Sequence, residues 1–255
     1  MPTAALLTRT DGRIAHLTLN RPARRNALDD ALMMALHDFF ERPPPEIRVA
    51  LLTGAGDHFS AGLDLTPHPA RSATEVLHHS RFWHRVMDRI HAGGLPVVAL
   101  LQGAVIGGGL ELAAACHVRI AEPSAFFQLP EARRGIFTGG GAAVRIGRII
   151  GADRLTEMML TGRSYPAEDA QRLGLAHYLA APGEGAAQAL ALAQTIAANA
   201  RLSNYLAIQA PTRIADMSGP DGLFTESLCA ALAQTTDDAK EGLDAFLEKR
   251  PPDFA

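Results

Sequence analysis

Short apolar runs bounded by turn residues fill the first two-thirds of the chain, and longer amphipathic stretches fill the last third. Residues 4–10 and 13–19 flank Asp11-Gly12, the pattern of two strands joined by a tight hairpin turn. Arg48-Val-Ala-Leu-Leu-Thr53 and Leu95-Pro-Val-Val-Ala-Leu-Leu101 are continuous apolar runs of strand length, as expected of strands buried on both faces. Residues 117–121, 124–128 and 175–179 add three shorter strand candidates. Asp29 or Asp30 is placed to cap a helix through Phe40, which the prolines at 43–45 end. Residues 74–92 put Val76, Phe82, Trp83, Val86, Met87 and Ile90 on one side of a helix that Gly93-Gly94 stops. The spacing predicts further helices after Gly109, from Gly141 to about Ile150, and over 153–160 and 166–173. It then predicts helices over 185–200, 202–216 and 220–249. Strands alternating with helices, followed by helices alone, make an α/β core with a helical tail. Residues 66–72, with two prolines, read as a mobile connection.

The chain has 255 residues, 47% of them apolar, enough for a substantial core. A net charge of −3 gives no reason to expect a nucleic-acid partner. Cys116 and Cys229 stand alone, which excludes a disulfide framework or a cysteine metal site and fits a reduced, cytoplasmic setting. No signal pattern opens the chain, and Gly, Pro or a charge interrupts every apolar stretch before it reaches membrane-spanning length. His78, His79, His84 and His91 share one predicted helix without a clean metal-binding pair, so no metal is expected.

The candidate chemistry sits at strand ends, where α/β folds bind ligands. Gly107-Gly-Gly109 precedes an Ala-rich helix, and Ser60-Ala-Gly-Leu-Asp64 forms a second glycine-bearing loop. Bare backbone at a helix start leaves N–H groups free to hold an oxyanion. Glu111, just after the triple glycine, and Glu131, just after Pro130, each follow a turn amid apolar residues, where desolvation raises a carboxylate's pKa toward values useful for proton transfer. No Ser-His-Asp set is evident, and Ser60 lies outside a Gly-x-Ser-x-Gly elbow, so a serine hydrolase is unsupported.

Several of these segments together resemble the enoyl-CoA hydratase (crotonase) superfamily. They are Leu19-Asn-Arg-Pro22 with Asn26-Ala27-Leu28, His58-Phe-Ser-Ala-Gly-Leu-Asp-Leu65, Gly103-Ala-x-x-Gly-Gly-Gly-x-Glu-Leu112 and Ala125-Phe-Phe-Gln-Leu-Pro-Glu131. Ala170-x-x-x-Gly-Leu175 and Glu241-Gly-x-x-Ala-Phe-Leu-Glu-Lys-Arg250 extend the resemblance over nearly the whole chain. It implies a repeated ββα spiral core over residues 1–195 and a C-terminal helical trimerisation region over 196–255. It implies reversible hydration of a 2-enoyl-CoA, with Glu111 activating water for attack at C3 and Glu131 protonating C2. Ala61 and Gly108 match the oxyanion-hole positions. Residues 61–64, with Gly62, Leu63 and Asp64, line the thioester and pantetheine path, Ala27 and Gly107 join the substrate-binding set, and Arg24 or Arg25 meets the coenzyme A phosphates. Lys249 reaches coenzyme A bound to a neighbouring subunit of a homotrimer or dimer of trimers. Coenzyme A is part of the substrate, so no separate cofactor is implied. A double-bond isomerase needing only Glu131, or a non-catalytic acyl-CoA-binding relative, are the alternatives. The segment Gly135–Arg145 departs from the usual Pro-Gly-x-Gly-Gly-x-Gln-Arg run of hydratases, and the 66–84 region is where family members differ in acyl specificity.

Overall fold

The computed structural model describes residues 4–66 and 71–254; most of the connection expected to be mobile, residues 67–70 with Pro67 and Pro69, lies outside the described residues. Strands β1 (Leu6–Asp11) and β2 (Ile14–Leu19) form the expected hairpin, with Asp11 opposite Ile14 and Gly12 at φ +55° in the turn. Helix α1 (Asp30–Glu41) then crosses to β3 (Val49–Gly54), and α2 (Ala73–Ala92) crosses to β4 (Val97–Leu101). The side chain of Asp29 caps α1 through the Leu32 amide, and Ser72 and Glu75 close a reciprocal capping box on α2. A short strand β5 (Ala104–Ile106) leads into α3 (Gly108–Ala115), followed by β6 (Val118–Ala121) and β7 (Phe126–Gln128). Next come α4 (Ala142–Ile150), α5 (Ala152–Thr161), β8 (Tyr165–Pro166), α6 (Ala167–Arg172) and β9 (Tyr178–Leu179). The chain ends in α7 (Gly185–Ala197), α8 (Arg201–Ile214), α9 (Gly219–Gln234) and α10 (Asp237–Glu248).

The main sheet has the order β1-β2-β3-β4-β6-β9 and is parallel apart from the β1–β2 hairpin, while β5, β7 and β8 form a second, small sheet. The chain thus steps from a main-sheet strand to a small-sheet strand to a helix. Alternate residues of the main strands face opposite ways. Val49, Leu51, Val98, Leu100 and Ile120 meet Ala189, Ala193 and Ala197 of α7. Leu17, Leu19, Leu52, Ala99 and Leu101 point into the larger core with α1, α2 and α3. Both faces are covered, which is why β3 and β4 read as unbroken apolar runs.

Two expectations change. The triple glycine follows β5 rather than β4, because Ala104–Ile106 pair with Phe126–Gln128 in the small sheet. The single helix expected over 220–249 is two helices, because the Thr236 hydroxyl accepts the Ala239 amide at 3.1 Å and starts α10 afresh. Helix α8 docks on the end of α2, where the Gln209 side chain donates to the Ala92 carbonyl at 2.7 Å. No helix among the described residues is long and apolar enough to cross a membrane.

Candidate active site

Three loops are knitted together where the strands end. Ser60 pairs with the β4–β5 segment: its amide donates to the Ala104 carbonyl and its carbonyl accepts from the Ile106 amide. Leu28 and Leu63 form a parallel bridge through Leu28 N to Gly62 O and Asp64 N to Leu28 O. Buried Asn26, at φ +54°, anchors the first loop by donating to the carbonyls of Ala55 and His58 at 2.9 and 2.7 Å. The Ser60 hydroxyl donates to the Asn26 carbonyl and accepts the Gly62 amide. Arg21, which the sequence reading passes over as part of a strand break, grips the same region. Its guanidinium donates to the Ala27 carbonyl at 2.5 Å and to Asp64 at 2.7 Å, and it pairs with Asp29 at 3.2 Å.

These contacts decide which amides remain available. The Ala61 amide, expected as an oxyanion donor, is occupied: it donates to the Arg25 carbonyl at 2.9 Å. That assignment is corrected. The Leu63 amide has no hydrogen-bond partner among the described residues, since the Leu28 bridge uses its neighbours, Gly62 O and Asp64 N. Gly108, the first residue of α3, has an amide beyond the reach of the helical ladder. A Cβ at Gly108 would lie 3.3 Å from the Leu63 nitrogen and 2.8 Å from Trp83, so only glycine lets these groups converge. Gly107 has φ +53°, and a Cβ there would stand 2.8 Å from Glu131 Oε1.

Glu111, on the first turn of α3, and Glu131, on the turn after β7, are buried and line one cavity of about 230 Å³. Leu63, Gly108, Trp83, Ile136 and Phe137 share its wall. Glu111 Oε1 accepts the amides of Gly140 and Ala142 at 2.8 and 2.9 Å. Burial pushes its pKa up, and these amides pull the other way. Glu131 Oε2 is buried with no partner. Burial, then the neighbouring Glu111 charge, raises Glu131 to about 7. Both carboxyls are thus pushed above the ordinary carboxylate range, and only Glu111 has amide donors that offset the effect; Glu131 Oε2 has no bond that favours its anion.

The other expected residues sit as follows. Asp64 is committed to its own loop: bonds from Thr66, then the Arg21 guanidinium, hold its carboxyl at about 2. Arg24 donates to the Thr66 hydroxyl at 3.0 Å, and Arg25 is exposed in a left-handed conformation beside it. Ala27 is buried, Gly62 adjoins Gly108, and Lys249 is the exposed left-handed C-cap of α10, away from the cavity wall. No cluster of three metal-ligating side chains occurs among the described residues.

A model of the enoyl-CoA hydratase/isomerase family matches residues 9–255, and the chain belongs to that family. It is 35% identical to the 2,3-dehydroadipyl-CoA hydratase of Escherichia coli K12, over 98% of both chains. It is 34% identical to the (E)-benzylidenesuccinyl-CoA hydratase of Thauera aromatica, over 94% of this chain and 95% of that one. Among solved structures, a candidate enoyl-CoA hydratase from Rhodopseudomonas palustris superposes with a TM-score of 0.94 at 48% identity, covering 96% of this chain and 95% of that chain. The enoyl-CoA hydratase of Bacillus anthracis gives 0.92 at 31% identity, over 98% of both.

Proposed function

We propose that this protein is a lyase that reversibly adds water to a 2-enoyl-CoA, giving a 3-hydroxyacyl-CoA. One observation carries the reading: Glu111 and Glu131 face one cavity beside the unpartnered amides of Leu63 and Gly108. The two amides receive the thioester oxygen and stabilise the enolate that forms on it. Glu111, oriented by the Gly140 and Ala142 amides and acting as its anion, takes a proton from water as the water oxygen bonds to C3. Glu131 delivers its proton to C2. Water is added across the double bond, and the carboxyl pair is restored by returning the proton from Glu111 to Glu131. The scheme needs no cofactor beyond the coenzyme A of the substrate.

In this reading the exposed Arg24 and Arg25 meet the coenzyme A phosphates, and the protein works as a homotrimer or a pair of trimers in the cytoplasm. The relatives named for dehydroadipyl and benzylidenesuccinyl thioesters show that acyl groups with a second carboxyl belong in the substrate panel. The test is loss of enoyl-thioester absorbance across acyl groups of differing size, with wild type and Glu111→Ala. Hydration is expected in the first and a fall of about 100- to 10,000-fold in the second. Undiminished hydration by Glu111→Ala removes the water-activating role. Thioester binding without turnover across the panel establishes a non-catalytic binder, and double-bond migration without hydration establishes an isomerase.

A further inference from the structure

The hydratase reading places the acyl tail in a cavity whose wall is mostly apolar, with Val76, Trp83, Ile136 and Phe137 in it, yet Arg71 lines it too. Arg71 stands immediately before Ser72, the N-cap of α2. Among the described residues its guanidinium makes no hydrogen bond and one loose ion pair, to Asp30 Oδ2 at 3.8 Å. The other oxygen of Asp30 is already taken by His79 Nε2 at 2.7 Å. Five N–H donors in a fixed fork are thus nearly unused beside the space for the substrate.

The order of residues along α2 locates this cation relative to the chemistry. Trp83 abuts Gly108 and Gly140, and the Ser80 hydroxyl donates to the Gly139 carbonyl at 2.7 Å, so this part of the helix lies beside the carboxyl pair. Val76 is two turns nearer the helix start, and Arg71 lies beyond it. At a rise of about 1.5 Å per residue, Ala73 is roughly 15 Å along the axis from Trp83. A guanidinium folding back from there meets the far end of an acyl chain rather than its reacting carbons. Arg71 is exposed where it lines the cavity, so a methyl-ended tail leaves it in water and gains nothing from it. A carboxylate matches its fork.

We infer that the cavity takes 2-enoyl-CoA thioesters whose acyl chain ends in a second carboxylate, with Arg71 as the residue that binds it. The inference rests on the hydratase reading, and the experiment separates the two. The full chain is assayed with a pair of equal length, 2-hexenoyl-CoA and 2,3-dehydroadipyl-CoA, in wild type and in the Arg71→Met and Arg71→Lys variants. Wild type is expected to favour the carboxylate-ended thioester in kcat/KM by about 10- to 100-fold. Arg71→Met is expected to collapse that ratio, chiefly through KM, and Arg71→Lys to keep part of it. Equal kcat/KM for the pair in wild type overturns the inference. So does an equal loss on both substrates in Arg71→Met, which places the coenzyme A phosphates against this guanidinium. If neither thioester is hydrated, the hydratase reading fails. Calorimetry with the saturated hexanoyl-CoA and adipyl-CoA then decides the Arg71 site: about tenfold tighter adipyl-CoA binding in wild type alone supports it, and equal affinities overturn it.

Discussion

Glu111 and Glu131 share a cavity but not an environment, and the difference assigns their parts. Glu111 has two amide donors on one oxygen; Glu131 Oε2 has none. Because Glu131 acts as the acid, its proton must be present, and hydration at saturating substrate is expected to decline as pH rises past about 7. Glu131→Gln should remove that alkaline limb and lower kcat by about 100- to 10,000-fold, read from the pH profile of enoyl absorbance loss. The same shift predicts stability. The folded pKa of about 7 lies above the ordinary 4.5, so the native state holds a proton that the unfolded chain releases between those values. Stability from this group is intact below the lower value and is lost as pH rises through the upper one. Glu131→Gln is therefore expected to gain on wild type in urea unfolding between about pH 5 and about pH 8, by up to about 3 kcal/mol. Both glutamates were legible in the sequence, because a carboxylate amid apolar residues just after a turn is conspicuous, the turn being a glycine run before Glu111 and Pro130 before Glu131. The choice of Leu63 over Ala61 was not. An amide's availability depends on which carbonyl lies across from it, here Arg25 O, and that partner is distant in the chain.

At the scale of elements, the loop from Gly139 to Ala142 acts as a clamp on Glu111. Arg145 of α4 fixes it from behind by donating to the Gly140 carbonyl at 3.1 Å and pairing with Asp88 of α2. A Cβ on Gly140 would stand 2.7 Å from Glu111 Oε2 and 3.3 Å from Trp83, so Gly140→Ala must push the carboxylate from its place. That variant is expected to lose about 10- to 100-fold in kcat, since small displacements of a catalytic group cost that much. Gly183→Ala supplies the contrast. Gly183 has φ +78° and open space around it, so its strain destabilises by about 1 kcal/mol and leaves kcat alone. Thermal melts and turnover measured on both variants separate clamp from strain; equal turnover in the two would dissolve the clamp. Element type was well legible where periodicity ran long, as in α2 or β4. It failed at β5, three residues whose strand character comes only from pairing with β7. It failed also at the α9–α10 break, where the polar run Gln234–Asp238 passes for an exposed helix face although Thr236 caps a new helix with Asp237 and Asp238 in its first turn.

For the whole molecule, the unresolved demand is the apolar surface of the last two helices. Leu223, Phe224, Leu228 and Leu232 on α9 and Leu243, Phe246 and Leu247 on α10 are each more than half exposed. Phe224, Leu228 and Leu232 recur every four residues and so form one stripe. A contiguous apolar patch of this kind is rarely left to water, and a second and third copy of the chain is the occupant the proposed trimer supplies. Placing a charge there leaves it desolvated and unpaired in the assembly, while the monomer can hydrate it freely. The double variant Leu228→Asp, Phe246→Asp is therefore expected to sediment as a single chain of about 27 kDa, against three or six times that mass for wild type. Its far-UV circular dichroism should be retained, because neither side chain contributes to the buried core. If Lys249 reaches coenzyme A across the subunit boundary, dissociation must also raise KM for the thioester. A dissociated variant with unchanged KM would confine the whole binding site to one chain, and a wild type that sediments as one chain would leave the stripe to a different partner.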